Sequence, residues 1–362
     1  MIWNRASRKT LEDEDLIMGE SPKYLSEIIS LIKNSTKRQL ANYIVWYNLM
    51  QFNYHPEPTR DSNYCFNTFM ALNMPEMLTA LAVKTRDESN YKIVNSLMEN
   101  IEKEFVNQIK LCTWMNELTK EKALEKVDNL KLTIGFYQSF LDEDALDKFF
   151  KALEVGGNFY QTYREIWKFR IRLETDCFKQ NLDSKLCRFM DYGELNLFRP
   201  NVLYDPLANE ILVPDSFLGE PVISLSWSKY IHYGRLGFVL GNTLAHSVDV
   251  KGAHYDQLGR LNYWWDYVTS TNYQQEMKCV DKQVKKLLPL KESTIETLYD
   301  RESTIRSVAD DAGIITSFKS YRNSQGWISD LMLPTVDYTK EQLFHSLGPF
   351  ILRCPESAVI SR

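Results

Sequence analysis

Residues 234–265 read GRLGFVLGNTLAHSVDVKGAHYDQLGRLNYWW. From Gly234 to Val248 the run is almost wholly apolar, which predicts a helix packed on most of its sides rather than a surface helix with one wet face. A loop rich in Gly, Asp and Tyr follows and ends in Trp264 and Trp265, which predict core anchors. Another helix then runs through Cys279 and Val284. An all-round apolar helix has to be covered, so its neighbours must come from elsewhere in the chain.

Upstream, Val202, Leu203 and Tyr204 precede the turn residues Asp205, Pro206, Leu207, Ala208 and Asn209, and Ile211, Leu212 and Val213 come next. That pattern predicts a β-hairpin. The N-terminal part reads as helix after helix. Ser21 and Pro22 predict a start, with Tyr24, Leu25, Ile28, Ile29 and Ile32 along one face. Leu40, Tyr43, Ile44 and Tyr47 space a second helix, and Ile93, Leu97, Ile101, Phe105 and Ile109 space a third at intervals of four. Each stripe predicts a core face. Segments 142–153 and 159–173 continue the helical pattern, and Gly156-Gly157 between them is the expected lobe boundary. Met70, Met74 and Met77 predict helix packing, and His232 and His345 predict ordinary surface or satisfied polar positions.

The chain has 362 residues with 43 Lys and Arg against 48 Asp and Glu, a formal net charge of -5. That balance leaves no electrostatic footprint for nucleic acid, and no such partner is expected. Its 14 Gly and 12 Pro fall below average usage, and aromatics reach 13%, which excludes disordered, collagen-like and low-complexity classes. No stretch nears the ~18 apolar residues of a membrane span, and residues 1–17 lack the apolar core of a secretory signal. Neither feature is therefore expected in these residues. Cysteines at 65, 112, 177, 187, 279 and 354 form no CxxC pair, which argues against a zinc finger. Cys177 and Cys187 are close enough for a local bridge in an oxidising compartment, and buried free thiols fit the sequence equally well.

Four ordered segments resemble the neprilysin family of zinc metalloendopeptidases, which includes the endothelin-converting enzymes. Trp114-Met115, the Lys/Glu-rich helix after it and Ile134-Gly135-Phe136 are similar to that family's "WM…TK.KA..K…IGY" stretch. Asn201-Val202-Leu203-Tyr204, Pro206, Asn209, Ile211 and Pro214 resemble its "NA[FY]Y.P..N.I..P" hairpin. Residues 234–265 follow its "GG[IL]G.V[IL]GHE[IL]THGFDD.G" segment, and Val308-Ala309-Asp310 with Gly313 resembles "GEN[IL]AD..G". The resemblance implies a mainly α fold with a small β component. It places a partial helical lobe at 1–165 and a zincin-like (gluzincin) lobe at 166–362.

In that family the HExxH helix holds zinc through two histidines at i and i+4, and the Glu between them takes a proton from metal-bound water. A downstream Glu completes the metal set. On this pattern the first His position is Asn242, the Glu position is Thr243, the second His is His246 and the downstream ligand position is Arg306. Asp249 and Asp310 match the carboxylates that brace the two histidines. Asn201 and Val202 match an Asn-Ala pair that hydrogen-bonds the substrate backbone, with Val crowding that edge by two methyl groups. The family's later catalytic His and substrate-carboxylate Arg would fall beyond Arg362. Cys65, Cys279 and Cys354 match cysteines whose partners lie in family regions without a counterpart here.

Thr243 is no proton-accepting carboxylate, and a guanidinium at 306 repels a divalent ion. The expectation is a non-catalytic neprilysin-like protein with no cofactor, in place of the zinc of active relatives, that at most binds peptides or a partner protein. Two alternatives stay open: a zinc peptidase with rebuilt ligands, for which His254 is the nearest extra donor, and a fragment without function. Glu302, Arg306 and Asp310, four apart, form an acid-base-acid ladder. It either neutralises buried carboxylates in place of zinc or makes a solvated helical face. The resemblance also implies a domain that in relatives lies outside the cell, anchored or secreted.

Overall fold

A computed structural model describes residues 21–53, 74–84, 89–177, 201–287, 296–324, 327–333 and 335–347. Its contacts divide the chain into two compact units, one of residues 1–82 and 139–194, the other of 83–138 and 195–362. This is not a single cut at 165, a position that lies inside a helix, and Gly156-Gly157 falls within the first unit instead of at its border. In this division the segment 83–138 joins the unit of the apolar helix at residues 234–248, against which its helices pack.

In the first unit the described helices are α1 (Pro22–Asn34), α2 (Lys37–Asn53), α3 (Pro75–Val83), α6 (Glu143–Phe150) and α7 (Phe159–Cys177). α1 starts at Pro22 as expected. Its stripe is not a core face, however: Tyr24, Ile29 and Ile32 are exposed, as are Tyr43, Ile44 and Tyr47 of α2. Periodicity fixes which side of a helix is apolar, and it does not supply a partner to cover it. Elsewhere the unit is packed. Asp142 caps α6 by accepting from Ala145 N at 3.0 Å, and Phe149 meets Phe169 of α7 edge to face at 5.6 Å. Met74 is buried, while Met70 lies outside the described residues. Arg170 of α7 donates to the buried Glu76 carboxylate at 3.1 Å. Burial raises the Glu76 pKa, and Arg170 opposes that rise.

The second unit contains α4 (Tyr91–Leu111), α5 (Glu117–Asp128), β1 (Lys131–Gly135), β2 (Leu203–Asp205), β3 (Glu210–Pro214), α8 (Lys229–His232), α9 (Phe238–Val248), α10 (Tyr267–Leu287), α11 (Glu296–Asn323) and α12 (Lys340–Leu347). One π-helical turn, Tyr233–Gly237, joins α8 to α9. β2 and β3 form the expected hairpin, antiparallel with Leu203 opposite Leu212. Asn209 closes it at φ 48, a left-handed conformation that Asn tolerates. β1 was not expected. It lies parallel to β3, Lys131 opposite Glu210, and makes β3 the central strand.

The core of this unit gathers α4, α9 and the tryptophan loop. Leu97, Ile101, Phe105 and Ile109 are buried as their spacing predicts, and so are Trp264 and Trp265. Trp114 packs against Trp265 and Tyr273, each at 5.2 Å between ring centres. His232 is buried, with Nε2 2.8 Å from Ser224 O, a satisfied polar position. Cys112 and Cys279 are free thiols, and Cys187, the expected partner of Cys177, lies outside the described residues. Among the described residues no helix is long and apolar enough to cross a membrane.

α9 and α11 cross at a pair of glycines. A Cβ added at Gly313 would stand 2.7 Å from Asn242 N and 2.8 Å from Phe238 O, and one at Gly241 would stand 3.0 Å from Gly313 O. The obstacles are backbone atoms, which cannot swing aside. Gly313→Ala is therefore expected to lower stability by about 1–3 kcal/mol, the usual cost of overpacking. Urea unfolding checks it, and an unchanged midpoint would show that the crossing has slack.

Candidate functional site

β2, α9, the loop after α9 and α11 enclose a cavity of about 860 Å³. Asn201, Val202, Asn242, Thr243, His246, Arg306 and Asp310 all line it, so seven of the eight residues singled out from sequence meet in one place. The eighth, Asp249, stands directly behind His246.

His246 is held from behind. Its Nδ1 lies 2.8 Å from Asp249 Oδ2, and Asp249 Oδ1 accepts from the backbone N–H groups of Lys251 at 2.8 Å and Gly252 at 2.9 Å. A neutral ring that donates from Nδ1 carries its lone pair on Nε2. One turn earlier, Asn242 Nδ2 donates to Asp310 Oδ1 at 2.9 Å across the α9–α11 crossing. That bond occupies the bracing carboxylate with an amide. Thr243 is buried and Val202 packs into the core, while Asn201 is exposed at the rim.

Arg306 and Asp310 are both exposed. The reading in which Arg306 neutralises buried carboxylates is therefore corrected: the buried carboxylate here is Asp249, and a histidine and two backbone N–H groups satisfy it. The side chain of Glu302 lies outside the described residues.

The donor set does not suit a zinc ion. A guanidinium only donates hydrogen bonds, so position 306 offers no electron pair, and Asn242, its Nδ2 bonded to Asp310, has only a neutral amide oxygen to offer where zinc sites use an imidazole nitrogen, a thiolate or a carboxylate. His254 also lines the cavity, with its ring 5.0 Å from that of Tyr263. Among the described residues no group of three or more His, Cys, Asp or Glu side chains is placed to hold a metal.

Lys126 of α5 was not anticipated. It is 1% exposed, and Nζ donates to Gly252 O at 2.7 Å and Tyr255 O at 2.6 Å. Trp264 Nε1 donates to the same two carbonyls at 3.1 and 3.0 Å. The ammonium also faces the rings of Tyr204 and Trp264, an attraction of the ring quadrupole for a cation. This clamp fixes the loop that forms one wall of the cavity. The signal was available: Thr119, Ala123 and Lys126 follow helical spacing on the buried face of α5, so an apolar stripe carried a lysine into the interior. Burial lowers its pKa from 10.5 to about 8, and the carboxylates of Asp249 and Asp256 oppose that fall. Tyr204 is pushed upward chiefly by burial, with Asp205 and Asp249 adding to it, and its hydroxyl donates to Asn209 at 3.0 Å.

A mainly helical lobe with a short mixed sheet and a paired-helix cavity of this kind defines a zincin-like metallopeptidase scaffold. Models of Peptidase family M13 match residues 2–138 and 201–353, and the chain belongs to that family, which includes neprilysin and the endothelin-converting enzymes. Neprilysin-21 of Caenorhabditis elegans is 26% identical over 348 residues, covering 89% of this chain and 44% of that protein. Endothelin-converting enzyme 1 of Rattus norvegicus is 24% identical over 359 residues, covering 92% and 45%. The chain thus spans less than half the length of these curated relatives. Among solved structures, the Haemonchus galactose-containing glycoprotein complex matches with a TM-score of 0.64 at 18% identity, over 86% of this chain and 50% of that one. Zinc metalloprotease ZMP1 of Mycobacterium tuberculosis, in complex with an inhibitor, matches at 0.56 and 17%, over 79% and 41%. These likenesses show the fold.

The depressed Lys126 pKa gives a sign for pH dependence. Between about pH 8 and 10.5 the unfolded chain holds a proton on this lysine that the folded chain has shed, so stability rises with pH in that window. The neutral amine still has two N–H bonds for the two carbonyls. Lys126→Met should lose stability overall and lack this rising component; urea midpoints at pH 7.5 and 9.5 compare the two proteins. Parallel pH curves would place the lysine in water.

Proposed function

We propose that this chain is a non-catalytic member of the family that binds peptides, or a peptide segment of a partner protein, without cleaving them. One observation carries the reading: Asn242 Nδ2 is hydrogen-bonded to Asp310, where a hydrolytic site would need a metal ligand. Three further facts support it. Thr243 supplies no carboxylate, Arg306 lines the same wall as a permanent cation, and the cavity itself stays open and joined to the hairpin edge at Asn201. A family member without its metal loses the agent that brings the pKa of bound water from 15.7 to about 7. No remaining group in the cavity replaces that activation. Val202 is buried beside the exposed Asn201, which leaves Asn201 at the rim, so an extended peptide can lie along the edge of β2.

The rival reading, a peptidase with rebuilt zinc ligands, makes opposite predictions. Purified protein should contain zinc well below one equivalent and should release no fluorescence from a quenched oligopeptide above a chelator-treated control. Near-stoichiometric zinc that disappears in His246→Ala, together with chelator-sensitive cleavage, would overturn the proposal. A single cooperative thermal transition is expected as well; a chain that melts without one has no specific binding site to offer.

A further inference from the structure

Resting on the peptide-binding reading above, we infer that the ligand of this cavity is an acidic peptide, whose carboxylate is seated on Arg306 next to an apolar side chain. The cavity wall decides the charge. Arg306 and Lys251 both line it, whereas Asp310 is the one lining carboxylate among the described residues. Asp310 is already engaged by Asn242 through Oδ1. The guanidinium has five N–H donors in a planar fork, more than one carboxylate can take up in a bidentate pair, so donors remain for a ligand beside any bond made within the chain. Arg306 is exposed, so it can meet a carboxylate without a large desolvation cost, at the price of salt sensitivity.

The rest of the wall fits a peptide carrying that carboxylate. His246 is fixed through Nδ1 by Asp249, and its Nε2 lone pair can accept a backbone N–H. Leu203, Phe217, Val239 and Ile305 supply an apolar floor, with Phe217 and Val239 both buried. A small inorganic anion would use the cation and leave this floor in water. A neutral apolar peptide would use the floor and leave the guanidinium without its added acceptor. A carboxylate and a neighbouring apolar side chain on one chain use both.

The test is fluorescence polarisation of the full chain at low salt against matched short peptides: an internal Glu-Leu with an amidated terminus, its Gln-Leu isostere, and the Gln-Leu peptide with a free C-terminal acid. The expected result is about tenfold tighter binding of a carboxylate-bearing peptide than of the amidated Gln-Leu peptide. That gap should collapse in Arg306→Gln and be kept in part by Arg306→Lys. Unfolding midpoints of both variants should match the parent, because the side chain is exposed. Whether the Glu peptide or the free-acid peptide shows the gap tells which carboxylate is recognised, and either one supports the inference. Equal binding of all three peptides would overturn the acidic preference and leave peptide binding standing. Binding of none would overturn the peptide-binding reading and this inference with it.

Discussion

The contact between Gly241 and Gly313 is the constraint on which the cavity depends. Two helices whose backbones touch have no side chain between them to act as a spacer, so their register is set by backbone carbonyl and amide positions. Asn242 is next in line on α9, and Asp310 and Arg306 lie about one and two turns before Gly313 on α11. Their meeting on one wall follows from that register. It also explains why α9 is buried on nearly every side: the π turn at 233–237 carries it into the interior, where α4 and α11 cover it.

Much of this unit was legible in the sequence because its signals are local. The hairpin needed only alternating apolar residues and an Asn-ended turn, the helix at 234–248 only its apolar run, and α4 only its four-residue stripe. What escaped reading depends on distant partners. KLTIG at 131–135 is too short to show a period, and it becomes a strand because β3 offers an open edge. The stripes of α1 and α2 resemble that of α4 and yet remain exposed, since composition cannot say which apolar faces find cover. The unit division was missed for the same reason. Helices on both sides of residue 83 look alike, and only their packing separates them.

Within the site each of the two carboxylates holds a side chain of α9. Asp249 orients a histidine and accepts two backbone N–H bonds, so its burial is met in full by partners inside the chain. Asp310 orients an amide. Lys126 and Trp264 secure the carbonyls of the adjoining loop, so the hydrogen bonds of that wall close among the protein's own groups. A scaffold satisfied in this way keeps the shape of its cavity with an amide at position 242.

The split composition of the second unit bears on how the chain is made. β1 is synthesised about eighty residues before its neighbour β3, with the whole 139–194 insertion emerging in between. A translating ribosome therefore exposes KLTIG as an unpaired strand for several seconds at ordinary elongation rates. Closing that long span is entropically unfavourable until the hairpin arrives to reward it. The interval ends only when β3 supplies the edge on which KLTIG pairs.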